Sequence, residues 1–280
     1  ERILGRAFTL EQMADGSSFP SAIETSDADG ITVVAVDNWD ATSEAQVGKL
    51  VWENRKSAPF VVGSQGVEYA LVEHWRKDGS LPRNPTLNGI GRAERMMSVS
   101  GSVSPTTADQ IAWSSANGFE CISFDAARIC GGAKDTDAEI QRAVDAALTA
   151  LSQGRDPLVH SAAGPDDPAV ARFREAVAST GQDMVTANRS VSEALGQVLV
   201  GVLERTGTTR AVVSGGDTSG FVTRQLGIYA LSAVAPTIPG ASICRTHAEG
   251  PMDGLELALK GGQMGTPDYF GWVRDGGGAR

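Results

Sequence analysis

The residues best equipped for chemistry in this 280-residue chain stand together at Ser214-Gly215-Gly216-Asp217-Thr218-Ser219-Gly220. A glycine pair lets a ligand approach the backbone closely, and Asp217 and Thr218 put a carboxylate and a hydroxyl beside it. The run Ala211-Val212-Val213 before them is long enough for a buried strand. Residues 221–226 after them have helical spacing, with Gly227 as the expected cap. Strand, glycine turn and helix start aim backbone N–H groups and the positive end of a helix dipole at one point, which suits an anion. Taken alone, the loop reads equally well as a plain turn capped by Asp217 or Thr218.

Three further segments repeat the pattern. Residues 98–107, SVSGSVSPTT, run from apolar sequence into glycine and the hydroxyls of Ser102, Ser104 and Thr107, with Pro105 suited to a first helical position. Gly63-Ser64-Gln65-Gly66 follows the apolar residues 59–62. Residues 255–265, LELALKGGQMG, lead into Lys260, Gly261, Gly262 and Gly265. Together these turns favour a phosphate-binding cleft in an α/β fold. Lys260 reads either as an offset for developing charge or as a solvated strand-end lysine. Asp37 and Asp40, after the strand-like ITVVAV, sit where open sheets hold ligands, but capping of the next helix explains them as well. His74 reads as a helix boundary residue and His160 as a hydrogen-bonded strand-end histidine, whereas His247 falls in a segment without a period. HExxH, P-loop and dinucleotide-type GxGxxG patterns do not occur, so a nicotinamide-dependent oxidoreductase lacks its fingerprint.

The elements that must hold these turns alternate. Residues 96–280 read as strand 96–100, helix 105–116, strand 120–124, helix 135–153, strand 157–161, helices 168–179 and 191–204, and strand 211–213. Such alternation predicts a mostly parallel sheet covered on both faces. Upstream, residues 9–13 start a short helix, 15–29 read as loop, 31–36 as a buried strand, 58–62 as a second strand, and 43–56 and 65–75 as helices. We therefore expect a two-domain α/β protein with mostly parallel, Rossmann-like sheets: residues 1–78, a linker at 79–95, and residues 96–280. A net charge of −10 argues against nucleic acid or an anionic membrane surface as partner. Three cysteines, Cys121, Cys130 and Cys244, show no CxxC pair, which fits a reducing cytoplasm, and Cys121 reads as core. No run approaches the length of a membrane span.

The motifs SGSVSPTTADQ (100–110), SGGDTSG (214–220), TIPG (237–240) and LKGGQMG (259–265), in this order and spacing, resemble the nucleotide-binding domain of the four-carbon acid sugar kinases, also called DUF1537 proteins. The resemblance covers roughly residues 88–270. It implies ATP as cofactor and phosphorylation of the 4-hydroxyl of threonate, erythronate or 3-oxo-tetronate; for such a phosphoryl transfer Mg²⁺ is the expected metal. ATP contacts are implied at Ser102 or Ser104, along Gly215, Gly216, Asp217 and Thr218, and at Gly262 or Gly265. For phosphoryl transfer, Asp217 is the nearest candidate carboxylate to hold Mg²⁺, directly or through water. The family's Ala-Asp-Asp-x-Thr-Gly-Ala motif is not in this chain, and residues 1–75 resemble only the tail of the family's substrate domain. That domain is thus expected to be incomplete here, with the general base outside this chain. A non-catalytic nucleotide- or phosphosugar-binding regulatory module is the alternative. A small sugar acid is the expected partner, and a homodimer is an open arrangement.

Overall fold

A computed structural model describes residues 2–15, 30–82 and 87–280. The chain divides into two compact units, Glu1–Pro85 and Thr86–Arg280. In the first, β1 (Arg2–Phe8) pairs in parallel with β2 (Gly30–Val36), from Arg2 opposite Gly30 to Phe8 opposite Val36. Helix α1 (Leu10–Ala14) starts on a Thr9–Gln12 capping box. Asp40 caps α2 (Ala41–Asn54) by accepting from the Thr42 and Ser43 amides, the structural role weighed for it above. α3 (Gln65–Lys77) packs against α2 where Gly48 faces the Ala70 backbone, an approach that any Cβ at position 48 would block. His74 sits on α3 with Nε2 3.6 Å from Asp78 Oδ2. The small core holds Phe8, Ala45, Val47 and Ala70.

Two expectations fail in this unit. β2 is not a buried strand: Ile31 and Val33 are exposed, so only one of its faces is covered. Residues 58–62 form no strand, and Phe60 and Val62 are 92% and 99% exposed. An apolar run becomes a strand only when another strand supplies hydrogen-bond partners, and none does so among the described residues. β1 itself goes unread in sequence because Arg2, Gly5 and Arg6 interrupt its apolar alternation. The loop expected at 15–29 lies outside the described residues, apart from Asp15.

The second unit is one seven-stranded sheet, in the order β4-β5-β3-β6-β9-β8-β7. Its strands are β3 (Met97–Ser100), β4 (Phe119–Ser123), β5 (Asp156–His160), β6 (Arg210–Ser214), β7 (Ile228–Pro236), β8 (Ser242–Ala248) and β9 (Glu256–Lys260). The first five in spatial order run parallel, while β8 is antiparallel to both β9 and β7. Helices α4 (Pro105–Ala116), α5 (Ala133–Ser152), α6 (Pro168–Thr180), α7 (Met184–Thr206), α8 (Gly216–Gln225) and α9 (Tyr269–Arg274) surround it. The period-two geometry of a strand divides the core. Ala211 and Val213 of β6 join Val99, Leu195, Leu199 and Leu257 on one face, and Val212 joins Met96, Leu158, Ile243 and Phe270 on the other.

Strand order fixes where a ligand can enter. The chain leaves β3 toward β4 on one side and leaves β6 toward β7 on the other, although β3 and β6 are neighbours. Their carboxyl ends therefore open a crevice at the topological switch point, the ordinary ligand position in an open α/β sheet. Ser100 stands opposite Ser214 at that edge.

Candidate functional site

The three glycine-bearing segments of this unit converge on the crevice. Gly101 N–H donates to Ser214 O at 3.0 Å and Gly215 N–H to Lys260 O at 2.9 Å, which ties the ends of β3, β6 and β9 together. A Cβ at Gly101 would strike Thr218 Oγ1, and one at Gly262 would strike Ser102 Oγ, so close packing requires glycine at both positions. Gly215 has φ 121°, a conformation that L side chains rarely adopt, and it turns the chain directly from β6 into α8. That single residue completes the turn. The helix starts at Gly216 and not near Phe221 as its spacing suggested.

An early helix start changes what the loop offers. Gly215 provides no side-chain cap, and the N–H groups of Gly216, Asp217 and Thr218 meet no acceptor among the described residues. Three unpaired amides and the helix dipole thus point out of the start of α8. The second wall is built from hydroxyls. Ser104 caps α4 by accepting from Thr107 N–H at 3.1 Å, and its own hydroxyl donates to Gly262 O at 2.6 Å. Thr107 Oγ1 lies 2.9 Å from the same carbonyl and 3.0 Å from Ser102 Oγ, and its one proton goes to either. The glycine loop after β9 is pinned further by Gln110 Nε2, which donates to Met264 O at 2.9 Å and Thr266 O at 3.1 Å.

Beside these walls is a cavity of about 690 Å³, within the 300–1,000 Å³ usual for small-molecule sites. Ser102, Ser104, Gly215, Gly216, Asp217, Thr218 and Gly262 all line it. Gly265 does not: its φ of 94° serves a turn packed against Gln110 and Tyr269. The Gly63–Gly66 turn belongs to the other unit. Sequence reasoning passed over the apolar side of the cavity, where α6 and α7 contribute Val170, Phe173, Met184 and Val191 alongside Asn188 and Arg174. These residues show only helical periodicity in sequence. Ser192 was also passed over; its hydroxyl shares a proton with Thr218 Oγ1 at 3.3 Å and so holds that residue in place.

The other candidates settle into structural roles. Burial holds the His160 imidazole below its ordinary pKa, and its Nδ1 has no partner among the described residues. His247 Nε2 pairs with Ser232 Oγ at 2.8 Å across β7 and β8, two strands whose exposed edge hid their alternation. Cys121, expected in the core, is half-buried at the edge of the core on the Val212 side of the sheet, and burial raises its thiol to about 11. Lys260 is not solvated: it is 3% exposed, and burial pushes its ammonium down to about 8.

The geometry defines a class first: a doubly wound α/β domain whose switch-point cleft is lined by unpaired backbone amides and by hydroxyls. Residues 97–270 match the family model described as "Nucleotide-binding C-terminal domain". The chain is 43% identical over 262 residues to the 3-oxo-isoapionate kinase of Paraburkholderia graminis, covering 93% of this chain and 56% of that protein. It is 31% identical over 238 residues to the 3-oxo-tetronate kinase of Cupriavidus necator, covering 82% of this chain and 49% of that protein. A Haemophilus influenzae structure of the DUF1537 family superposes with a TM-score of 0.65 at 17% identity, over 96% of this chain and 60% of that one, which is a likeness of fold. This chain belongs to the four-carbon acid sugar kinase family. It spans about half the length of the curated relatives it matches.

Proposed function

We propose that the cavity binds ATP and that the protein transfers the γ-phosphoryl group to a hydroxyl of a 3-oxo sugar acid. The observation that carries this reading is the meeting, at one switch point, of the unpaired Gly216–Thr218 amides with the Ser102, Ser104 and Gly262 wall. The polyphosphate lies along these groups, and the apolar residues of α6 and α7 take the nucleoside. Phosphoryl transfer asks a protein mainly for positioning and neutralisation of charge, and oriented amides provide both. Mg²⁺ is commonly held through one or two carboxylates together with substrate phosphates. Asp217 is exposed at the second position of α8, its carboxylate has no partner among the described residues, and it is the one acid lining the cavity, so the residues fit the ion. Bound there, Mg²⁺ would supply positive charge against that of the phosphates. Among the described residues the lining holds no histidine and no second acid, in keeping with the proposal of a general base supplied from elsewhere.

The names of the two relatives favour a kinase over a binding-only regulator. Among candidate acceptors, 3-oxo-isoapionate joins 3-oxo-tetronate, threonate and erythronate, with the 4-hydroxyl as acceptor in the four-carbon acids. The test is coupled ADP release by the full-length protein over this panel. Acid-dependent release with at least one member supports the proposal; ATP binding without turnover on any of them returns the regulatory reading. Among the described residues no helix is long and apolar enough to cross a membrane, and we retain a small molecule as the partner and the cytoplasm as the site of action. A homodimer is retained as well. It is supported by the uncharged edge strand β7, on which Tyr229 and Leu231 are exposed, and is tested by light scattering.

A further inference from the structure

Lys260 is the last residue of β9 and is buried, yet no carboxylate pairs with it among the described residues. Its ammonium donates to Gly261 O at 3.1 Å and lies 3.4 Å from Gly262 O, with the Tyr269 ring centroid 5.8 Å away. It does not line the cavity, whereas Gly262 and Gln263 do. A planar trans peptide points each carbonyl opposite to the N–H that follows it, and there is no cis peptide bond among the described residues. A cation that grips the carbonyls of Gly261 and Gly262 therefore turns the N–H groups of Gly262 and Gln263 to the far side of the loop. Neither amide meets an acceptor among the described residues. The Gly262 carbonyl is held again by Ser104 Oγ at 2.6 Å.

We propose that Lys260 is a positioning residue: by holding two successive carbonyls it presents the Gly262 and Gln263 amides to the cavity as a second pair of phosphate donors, and it touches no phosphate itself. The inference deepens, and rests on, the nucleotide reading of the same cavity. Consecutive amides aimed at one point form an anion-binding concavity, and this one sits beside the amides that open α8, because Gly262 packs on Ser102 and Gly215 lies against the same segment. A lysine that loses part of its hydration to do this exerts its effect through the backbone it orients.

The test uses Lys260→Met, with binding of ATP, inorganic tripolyphosphate and adenosine measured by calorimetry and the Gly262 and Gln263 amides followed by NMR. ATP and tripolyphosphate should bind about 30-fold more weakly, the scale of losing a pair of charge-assisted hydrogen bonds. Adenosine should bind as before, and both amide resonances should move already in the ligand-free variant. Unchanged polyphosphate affinity overturns the proposal. So does lost affinity with ligand-free resonances in place, which would make Lys260 a direct phosphate ligand. If the parent chain binds tripolyphosphate but not ATP, the nucleotide reading falls and this one stands; if it binds neither, both fall. Should Lys260→Met not fold, Thr107→Val weakens the grip on the same Gly262 carbonyl from the other side. It should cost a few-fold in tripolyphosphate affinity and shift the Gln263 amide, and no change in either overturns the proposal.

Discussion

At the amino ends of β6 and β9, Arg210 is 3% exposed, bonds Glu256 at 2.6 Å and donates to the carbonyls of Gly91, Val273 and Arg274. At the carboxyl ends of the same two strands, Lys260 is equally buried and, among the described residues, has two glycine carbonyls and the Tyr269 ring but no carboxylate. One end also pairs Asp156 with Arg274 and with the Met96 amide, whereas the other leaves the amides of Gly216, Asp217, Thr218, Gly262 and Gln263 and the Ser214 hydroxyl without a partner among the described residues. A sheet end that satisfies every charge serves stability. A sheet end that leaves donors open gives up stability to keep a place for a ligand.

Four substitutions press on this contrast. Arg210→Met strands Glu256 and should cost about 3–5 kcal/mol of unfolding free energy in urea, the scale for breaking a buried pair, with ATP affinity unchanged wherever the protein is folded. Lys260→Met should do the reverse to stability. Because burial lowers the Lys260 ammonium from 10.5 to about 8, the unfolded chain holds the extra proton between those values. Stability should therefore rise by up to about 3 kcal/mol as pH climbs through that window. The half-buried Cys121 thiol, raised to about 11, acts with the opposite sign in both proteins. The rise should therefore appear in unfolding titrations as the parent-minus-variant difference, and the variant should be at least as stable as the parent at pH 7. Gly216→Val places its Cβ where no atom lies within 4 Å. It should leave the melting temperature alone and cut ATP affinity about 100-fold by keeping phosphate off the amides, close to 2.7 kcal/mol. Unchanged affinity would remove the loop from the site. Asp217→Asn should lower ATP affinity about tenfold with Mg²⁺ present and little in EDTA, since only the metal-dependent part of binding uses its charge.

Sequence made the parallel half of the sheet legible, because β3, β5 and β6 are buried on both faces and read as short apolar runs between helical periods. It did not reveal β7, whose residues from Tyr229 to Ala233 are all exposed, so no alternation marks them. The glycine loops could be read from their composition. The amides that make them useful could not, since these depend on where α8 begins, which Gly215 alone decides. The apolar wall on α6 and α7 was invisible for a different reason: a helix residue facing a cavity has the same periodicity as one facing a core.

The three wall segments are brought together only by the strand order. Residues 100–104, 214–218 and 260–263 are neighbours in space, and the outermost of them are more than 150 residues apart in sequence. No short piece of the chain therefore contains the proposed anion site, and its formation has to await the pairing of β3, β6 and β9. Long-range parallel pairing is slow to assemble, so nucleotide cannot guide the early steps of folding. It can only hold the finished sheet in place by mass action, which makes ATP-induced protection from proteolysis a direct gauge of how much of the protein has completed that last closure.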